Sequence, residues 1–129
     1  TLSNAMDVSV PNNWSRIETL CNHNFENISS VAIDEDQTIS ALKELHAKGY
    51  TAEPHAAVAY AGLNHFLSDD EFGVFLGTAH PAKFLESVEE ILETQLDLPE
   101  PLAKVKNLVS LSKVISVNIE ELKQVLKTI

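Results

Sequence analysis

A chain of 129 residues is one domain's worth of polypeptide, and its 44% hydrophobic and 22% charged residues are those of an ordinary globular protein. Nineteen acids against nine bases leave a net charge of −10, and Arg16 is the only arginine, so the clustered cations that a nucleic-acid backbone demands are missing. A lone Cys21 excludes an internal disulfide framework and a Cys-rich zinc site. No apolar run reaches spanning length and no basic-then-apolar leader opens the chain, so a cytoplasmic protein with no membrane partner is expected.

Thr1 is not a start residue. Ser3-Asn4-Ala5 ahead of Met6 reads either as a cloning remnant, with the true start at Met6, or as a natural segment of something longer; the second is preferred, because a remnant would not need Thr1-Leu2. Trp14, Ile17, Leu20 and Cys21 share one face of a first predicted helix, with Asn12 and Asn13 as cap candidates. A short strand-like run follows over residues 30–33. Asp34 with Gln37 three residues on is a capping-box pattern for a helix whose buried stripe is Ile39, Leu42 and Leu45, and Gly49 is its expected C′ residue. Pro54 opens a third helix rich in Ala56, Ala57, Ala59, Ala61 and Gly62, small residues that suit tight packing on a sheet or space for a cofactor. Ser68-Asp69-Asp70-Glu71 reads as a solvated turn, without the glycine that a calcium loop requires.

Val74, Phe75 and Leu76, bounded by Gly73 and Gly77, form an apolar run too short for a helix and suited to a buried strand. The run that follows, Gly77-Thr78-Ala79-His80-Pro81-Ala82-Lys83-Phe84, hands that strand to a helix with Phe84, Leu85, Val88, Ile91 and Leu92 at helical spacing. In open α/β sheets ligands sit beyond the carboxyl ends of strands, which places Thr78 to address one. The plainer account is a strand–helix connection in which Thr78 and His80 satisfy backbone donors. Residues 97–101, with Pro99 and Pro101, read as a linker, and the tail carries Leu102, Val105, Leu108 and Leu111, a β-branched run over 114–117, and a closing helix with Ile119, Leu122, Val125 and Leu126. His23, His46 and His65 lack metal-ligand spacing and read as surface or boundary residues, so no metal is expected.

The segment from Thr78 to Phe84 resembles one near the carboxyl end of threonine synthases, which use pyridoxal phosphate. Two further stretches match that family in the same order. They are Thr1-Leu2-Ser3-Asn4-Ala5-Met6-Asp7-Val8 continuing to Pro11-Asn12-Asn13-Trp14, and Gly49-Tyr50-Thr51 followed by Glu53-Pro54-His55-Ala56-Ala57-Val58-Ala59-Tyr60. The likeness runs from Thr1 to about Leu98 and is closest to the bacterial and fungal type. It implies an α/β fold: part of the large domain of a tryptophan-synthase-like, fold type II enzyme, mostly helices around a few parallel strands. Residues 1–98 would belong to the cofactor-binding domain and residues 99–129 to a helical tail packing on it. The whole enzyme, a carbon–oxygen lyase acting on a phosphate ester, would convert O-phospho-L-homoserine and water to L-threonine and phosphate.

Cofactor enzymes of this kind need a lysine for the Schiff base, a cradle for the phosphate, and a group opposite the pyridine nitrogen. The resemblance gives the last role to Thr78. The family's Ser-Phe-Lys-like lysine motif and its glycine-and-asparagine phosphate loop are absent, so no catalytic residue is assigned here and the chain by itself is expected to be inactive. Four residues are candidate walls of the site, each with a structural alternative. His80 projects into the cleft or caps the helix start. Lys83 attracts an anionic substrate or pairs with Glu86. Glu53 and His55 form an acid–base pair, or Glu53 favours the helix amino end while His55 stays on the surface. The expected partners are the remainder of the enzyme's chain and, through an apolar face around Val74, Phe75 and Leu76, a second copy of this one. The rival reading is a non-catalytic acidic α/β interaction or regulatory module that kept the fold.

Overall fold

The computed structural model describes residues 1–127 other than Asp7 and His23. After a 3-10 turn at Asn4–Met6, helix α1 spans Trp14–Leu20. Asn13 holds its N-cap position but makes no side-chain capping bond. The expected apolar face of α1 is only partly covered: Ile17 and Cys21 are half-buried, whereas Trp14 and Leu20 are exposed. The Trp14 indole is occupied locally instead, stacked on Phe25 with ring centroids 6.0 Å apart.

Helix α2 spans Glu35–Ala47 and starts on the capping box that its sequence encodes. The Gln37 N–H donates to Asp34 Oδ1 at 2.8 Å and the Asp34 N–H donates to Gln37 Oε1 at 2.9 Å, so two otherwise orphaned donors are satisfied reciprocally. Thr38, Ala41, Leu42 and Leu45 are buried, with Ile39 half-buried at the edge of the stripe. The helix ends in a Schellman arrangement. Gly49 takes φ +85°, its N–H donates to the His46 carbonyl, and the Tyr50 N–H donates to the Leu45 carbonyl. That turn sends the chain straight into helix α3, Pro54–Phe66, which packs on α2.

Among the described residues there is no β-strand, which corrects the expectation for residues 30–33 and 74–76. Both runs have the side-chain alternation of a strand. Phe72, Val74 and Leu76 are exposed while Gly73 and Phe75 turn inward, and Val31 and Ile33 turn inward between exposed neighbours. A strand is defined by its ladder, however, and neither run makes one here. The α/β layering is therefore represented by its helices and by two unladdered extended segments.

The 3-10 turn Pro81–Phe84 leads into helix α4, Leu85–Leu92, whose Val88 is fully buried against α2 and α3. Ala41, Leu42, Ala57 and Val88 form the centre of the core, flanked by Tyr60, Phe84, Ile91 and Leu96. A second cluster of Leu45, Ala52 and Ala56 continues it beneath Phe75. Glu93 closes α4 in the left-handed region at φ 51°.

The chain divides into two units, Thr1–Asp97 and Leu98–Ile129. In the second unit the expected linker is partly helical: Pro99 is the N-cap of helix α5, Glu100–Val105, and Pro101 lies in its first turn, where a missing N–H is harmless. Helix α6 spans Ile119–Leu126 and is capped by Asn118, whose side chain accepts from the Glu120 N–H at 2.8 Å. The β-branched run over 114–117 is irregular, with Val114 and Val117 exposed. No helix among the described residues is long and apolar enough to cross a membrane.

Candidate functional site

The corner begins at Gly77. A β-carbon there would stand 3.0 Å from the Tyr50 hydroxyl and 3.7 Å from Ala56 Cβ, so the backbone passes directly against the amino end of α3. Thr78 follows on the exposed side, and its hydroxyl has no hydrogen-bond partner among the described residues. His80 does bond the backbone: its Nδ1 accepts from the Ala82 N–H at 3.1 Å and caps the Pro81–Phe84 turn. Its own backbone is extended, at φ −81° and ψ 140°, as a residue before proline should be. The two side chains that the sequence left equivalent are thus used differently.

A cavity of about 420 Å³ opens beside this turn. It is lined by Ala79, His80, Pro81 and Ala82 of the turn together with Tyr50, Thr51, Leu96 and Asp97. Sequence reasoning missed the last four residues as lining. Tyr50 and Thr51 were legible in principle, because a Schellman turn at Gly49 returns the chain against the helix it leaves. Leu96 and Asp97 carry no local signal.

Lys83 is exposed, with its ammonium 5.4 Å from the centre of the Phe84 ring, and it forms no ion pair with Glu86 among the described residues. Glu53 and His55 are brought together. Proline at the first position of α3 makes Glu53 its N-cap, and the Glu53 carboxylate accepts from the Ala56 N–H at 2.8 Å and the His55 N–H at 2.9 Å. The same carboxylate lies 2.6 Å from His55 Nδ1. Glu53 is 1% exposed, so a buried carboxylate is held by three donors at the positive end of a helix. His55 is half-buried and stands between the two alternatives: it pairs with Glu53 while its side chain stays 23% exposed. Its ring packs against Phe84 with centroids 4.9 Å apart, and its Nε2 is buried without a hydrogen-bond partner. Phe84 explains the partial burial, since the turn after Pro81 folds that ring over the start of α3.

The remaining histidines stand apart from this corner. His46 Nδ1 lies 3.0 Å from the Thr51 hydroxyl, His65 stacks edge-on with Phe66, and His23 lies outside the described residues. On the α2–α3 surface, Lys48 and the Tyr60 hydroxyl both donate to Glu44, at 2.6 and 2.7 Å, and hold its carboxyl below the ordinary range. The Lys48 ammonium donates to Glu44 and also to the Tyr60 hydroxyl, and these bonds push it up.

Residues 56–129 match the family model described as "Threonine synthase, C-terminal". The chain belongs to the threonine synthase family. It is 53% identical over 115 residues to the threonine synthase of Escherichia coli strain K12, covering 87% of this chain and 27% of that protein. To the threonine synthase of Serratia marcescens it is 47% identical over 129 residues, covering 98% of this chain and 30% of the relative. The crystal structure of threonine synthase from Escherichia coli superposes with a TM-score of 0.85 at 47% identity, over 99% of this chain and 31% of that one. The chain therefore spans less than a third of the length of the threonine synthases it matches.

Proposed function

We propose that this chain serves as the carboxyl-terminal part of a threonine synthase, forming one wall of a pyridoxal phosphate site in an enzyme that converts O-phospho-L-homoserine and water to L-threonine and phosphate. The observation that carries the reading is the free, exposed hydroxyl of Thr78 at the corner where the family resemblance is densest. The residues fit one edge of the cofactor: Gly77 lets the backbone sit close against Tyr50 and Ala56, and Thr78 on the exposed side presents a single neutral hydrogen-bonding group. When bound, the cofactor supplies an electron sink for expelling phosphate from the γ-carbon and adding water at the β-carbon.

When the cofactor is bound, Thr78 would donate a hydrogen bond from its hydroxyl to the pyridine nitrogen and, unlike a carboxylate, would not hold a proton on that nitrogen. The milder sink that results favours elimination over transamination. His80, held by its own backbone bond to Ala82, presents its ring at the cavity wall without competing for the nitrogen. Lys83, exposed next to the same turn, draws an anionic substrate. Glu53 fixes the start of α3 and the orientation of His55 behind the corner. The lysine that anchors the cofactor and the donors that hold its phosphate come from elsewhere in the complete enzyme.

A chimera tests this directly, with the present 129 residues replacing the matching stretch of the Escherichia coli enzyme. The expected result is threonine and phosphate formed from O-phospho-L-homoserine, with the chimera binding pyridoxal phosphate. A folded chimera that binds the cofactor and forms neither product contradicts the reading. The present chain alone, incubated with pyridoxal phosphate and reduced with borohydride, should take up no stoichiometric label on any one lysine.

A further inference from the structure

The Thr78 hydroxyl has no hydrogen-bond partner among the described residues, so its place is set by what holds the backbone on either side of it. On one side Gly77 lies so close to the start of α3 that a β-carbon there would stand 3.0 Å from the Tyr50 hydroxyl. On the other side stands His80, the N-cap of the Pro81–Phe84 turn. Its carbonyl accepts from the Lys83 N–H at 2.9 Å, and its Nδ1 accepts from the Ala82 N–H at 3.1 Å. The far end of that turn is fixed by Phe84, whose ring lies 4.9 Å from the His55 ring and packs on the buried cluster around Val88.

Histidine is an unusual cap. Ser, Thr, Asp and Asn are the preferred ones, and their oxygens accept a backbone N–H at any pH near neutrality. An imidazole nitrogen accepts only while it carries no proton. The Ala82 N–H therefore fixes the tautomer of His80, with Nδ1 bare and the ring proton on Nε2. A second proton lands on Nδ1, turns the acceptor into a donor and sets it against the Ala82 N–H. Resting on the reading above, that Thr78 meets the cofactor, we infer that His80 is the positioning residue for Thr78. As the neutral Nε2–H tautomer it pins the Gly77–His80 corner to the turn, and on taking up a second proton it lets the corner go. Among groups that could mimic this titration, Tyr50 and Asp97 share the cavity with the His80 ring, and Lys83 lies in its own turn. Among the described residues none of the three is hydrogen-bonded to that ring, and the cap is its one hydrogen bond.

Long-range proton–nitrogen correlation on the nitrogen-15-labelled chain reads the ring directly, with the His80 signals assigned by their loss in His80→Asn. Nε2 should carry the proton and Nδ1 none; a proton on Nδ1, or a ring averaging between tautomers, overturns the inference. On acidification the backbone order parameter of Thr78 should fall from about 0.85 to below about 0.6 as the ring takes its second proton. In His80→Asn, whose amide oxygen caps without titrating, Thr78 should stay ordered over the same range. Order lost equally in both, or in neither, overturns the inference. In the chimera, His80→Ala should lower kcat, not KM, by roughly three- to thirtyfold, the range for losing an N-cap carried through to the barrier. His80→Asn should restore kcat and remove the acid-side fall of the parent, while Asp97→Asn should leave that fall in place. Unchanged kcat in His80→Ala, a fall that persists in His80→Asn, or one abolished by Asp97→Asn counts against the inference. Cofactor absorption keeps the two readings apart. If Thr78→Val shifts it and His80→Ala does not, the functional reading stands and the positioning role is overturned. If neither shifts it, the functional reading fails, and the tautomer and the order at Thr78 still decide whether His80 pins the corner.

Discussion

The two sides of helix α3 are finished to different degrees. Towards α2 and α4, Leu42, Ala57 and Val88 are fully buried and the helix is closed by residues at most a few dozen positions away. On the other side, the segment 72–78 leaves Phe72, Val74 and Leu76 in solvent. The difference teaches that burial is local in this molecule: α2, α3 and α4 cover one another's apolar faces, while the extended segment beside α3 leaves its own apolar side chains in solvent.

The largest expected effect separates the two sides. Leu42→Ala should destabilise the chain by about 2–5 kcal/mol in urea unfolding, the range for truncating a fully buried leucine. Leu76→Ala should change the present chain by no more than about 0.5 kcal/mol but cost the chimera about 2 kcal/mol or more. Equal costs for the two substitutions in the chain alone would mean that the open side is not open.

Glu53→Gln comes next. The amide presents N–H groups where the carboxylate accepts from two backbone donors and faces His55, so a loss of about 1–3 kcal/mol is expected in the same assay. An unchanged midpoint would show that the buried carboxylate is not holding the start of α3. Gly73→Ala is smaller, at about 1 kcal/mol, because the new methyl would stand 2.8 Å from the tip of Leu63 and only that flexible end has to move. A larger loss would place rigid backbone, not the Leu63 tip, against residue 73.

The smallest effect is a pH dependence on the closed side. Lys48 and Tyr60 hold the Glu44 carboxyl below its ordinary range, so Glu44 contributes stability above the usual carboxylate pKa and loses it as pH falls through the lowered value. The Tm gap between the parent and Glu44→Gln should therefore be open at neutral pH and narrow as pH falls below the ordinary carboxylate range. A gap that persists in acid would assign the effect to packing, not charge.

Local chemistry made much of this fold legible in the sequence. Asp34 and Gln37 announce the start of α2, Gly49 its end and Pro54 the start of α3, because each acts on residues within a turn of itself. The extended runs were legible as extended backbone but not as strands, since a ladder is a property of the partner. Pro99 and Pro101 look like a linker until the first turn of α5 is seen to tolerate both. His55 is half-buried because it packs against Phe84, which lies 29 positions away and gives no local signal. The candidate site was legible at Thr78 and His80 because both lie in one turn. The cavity beside that turn takes its other lining, Tyr50, Thr51, Leu96 and Asp97, from tertiary folding, and Thr78 is not part of that lining.

The central claim is that the Thr78 hydroxyl meets the pyridine nitrogen in the complete enzyme, and replacing it in the chimera measures that contact. Thr78→Val keeps the shape and removes the hydrogen bond, worth about 1–3 kcal/mol in a dry site. Turnover should fall roughly ten- to a hundredfold, with the cofactor's absorption shifted and the fold intact. Thr78→Ser should retain most activity, and Thr78→Asp should raise transamination relative to threonine formation. A Thr78→Val chimera with unchanged turnover, product ratio and cofactor spectrum would contradict the account and leave Thr78 as an exposed residue at the end of an extended segment.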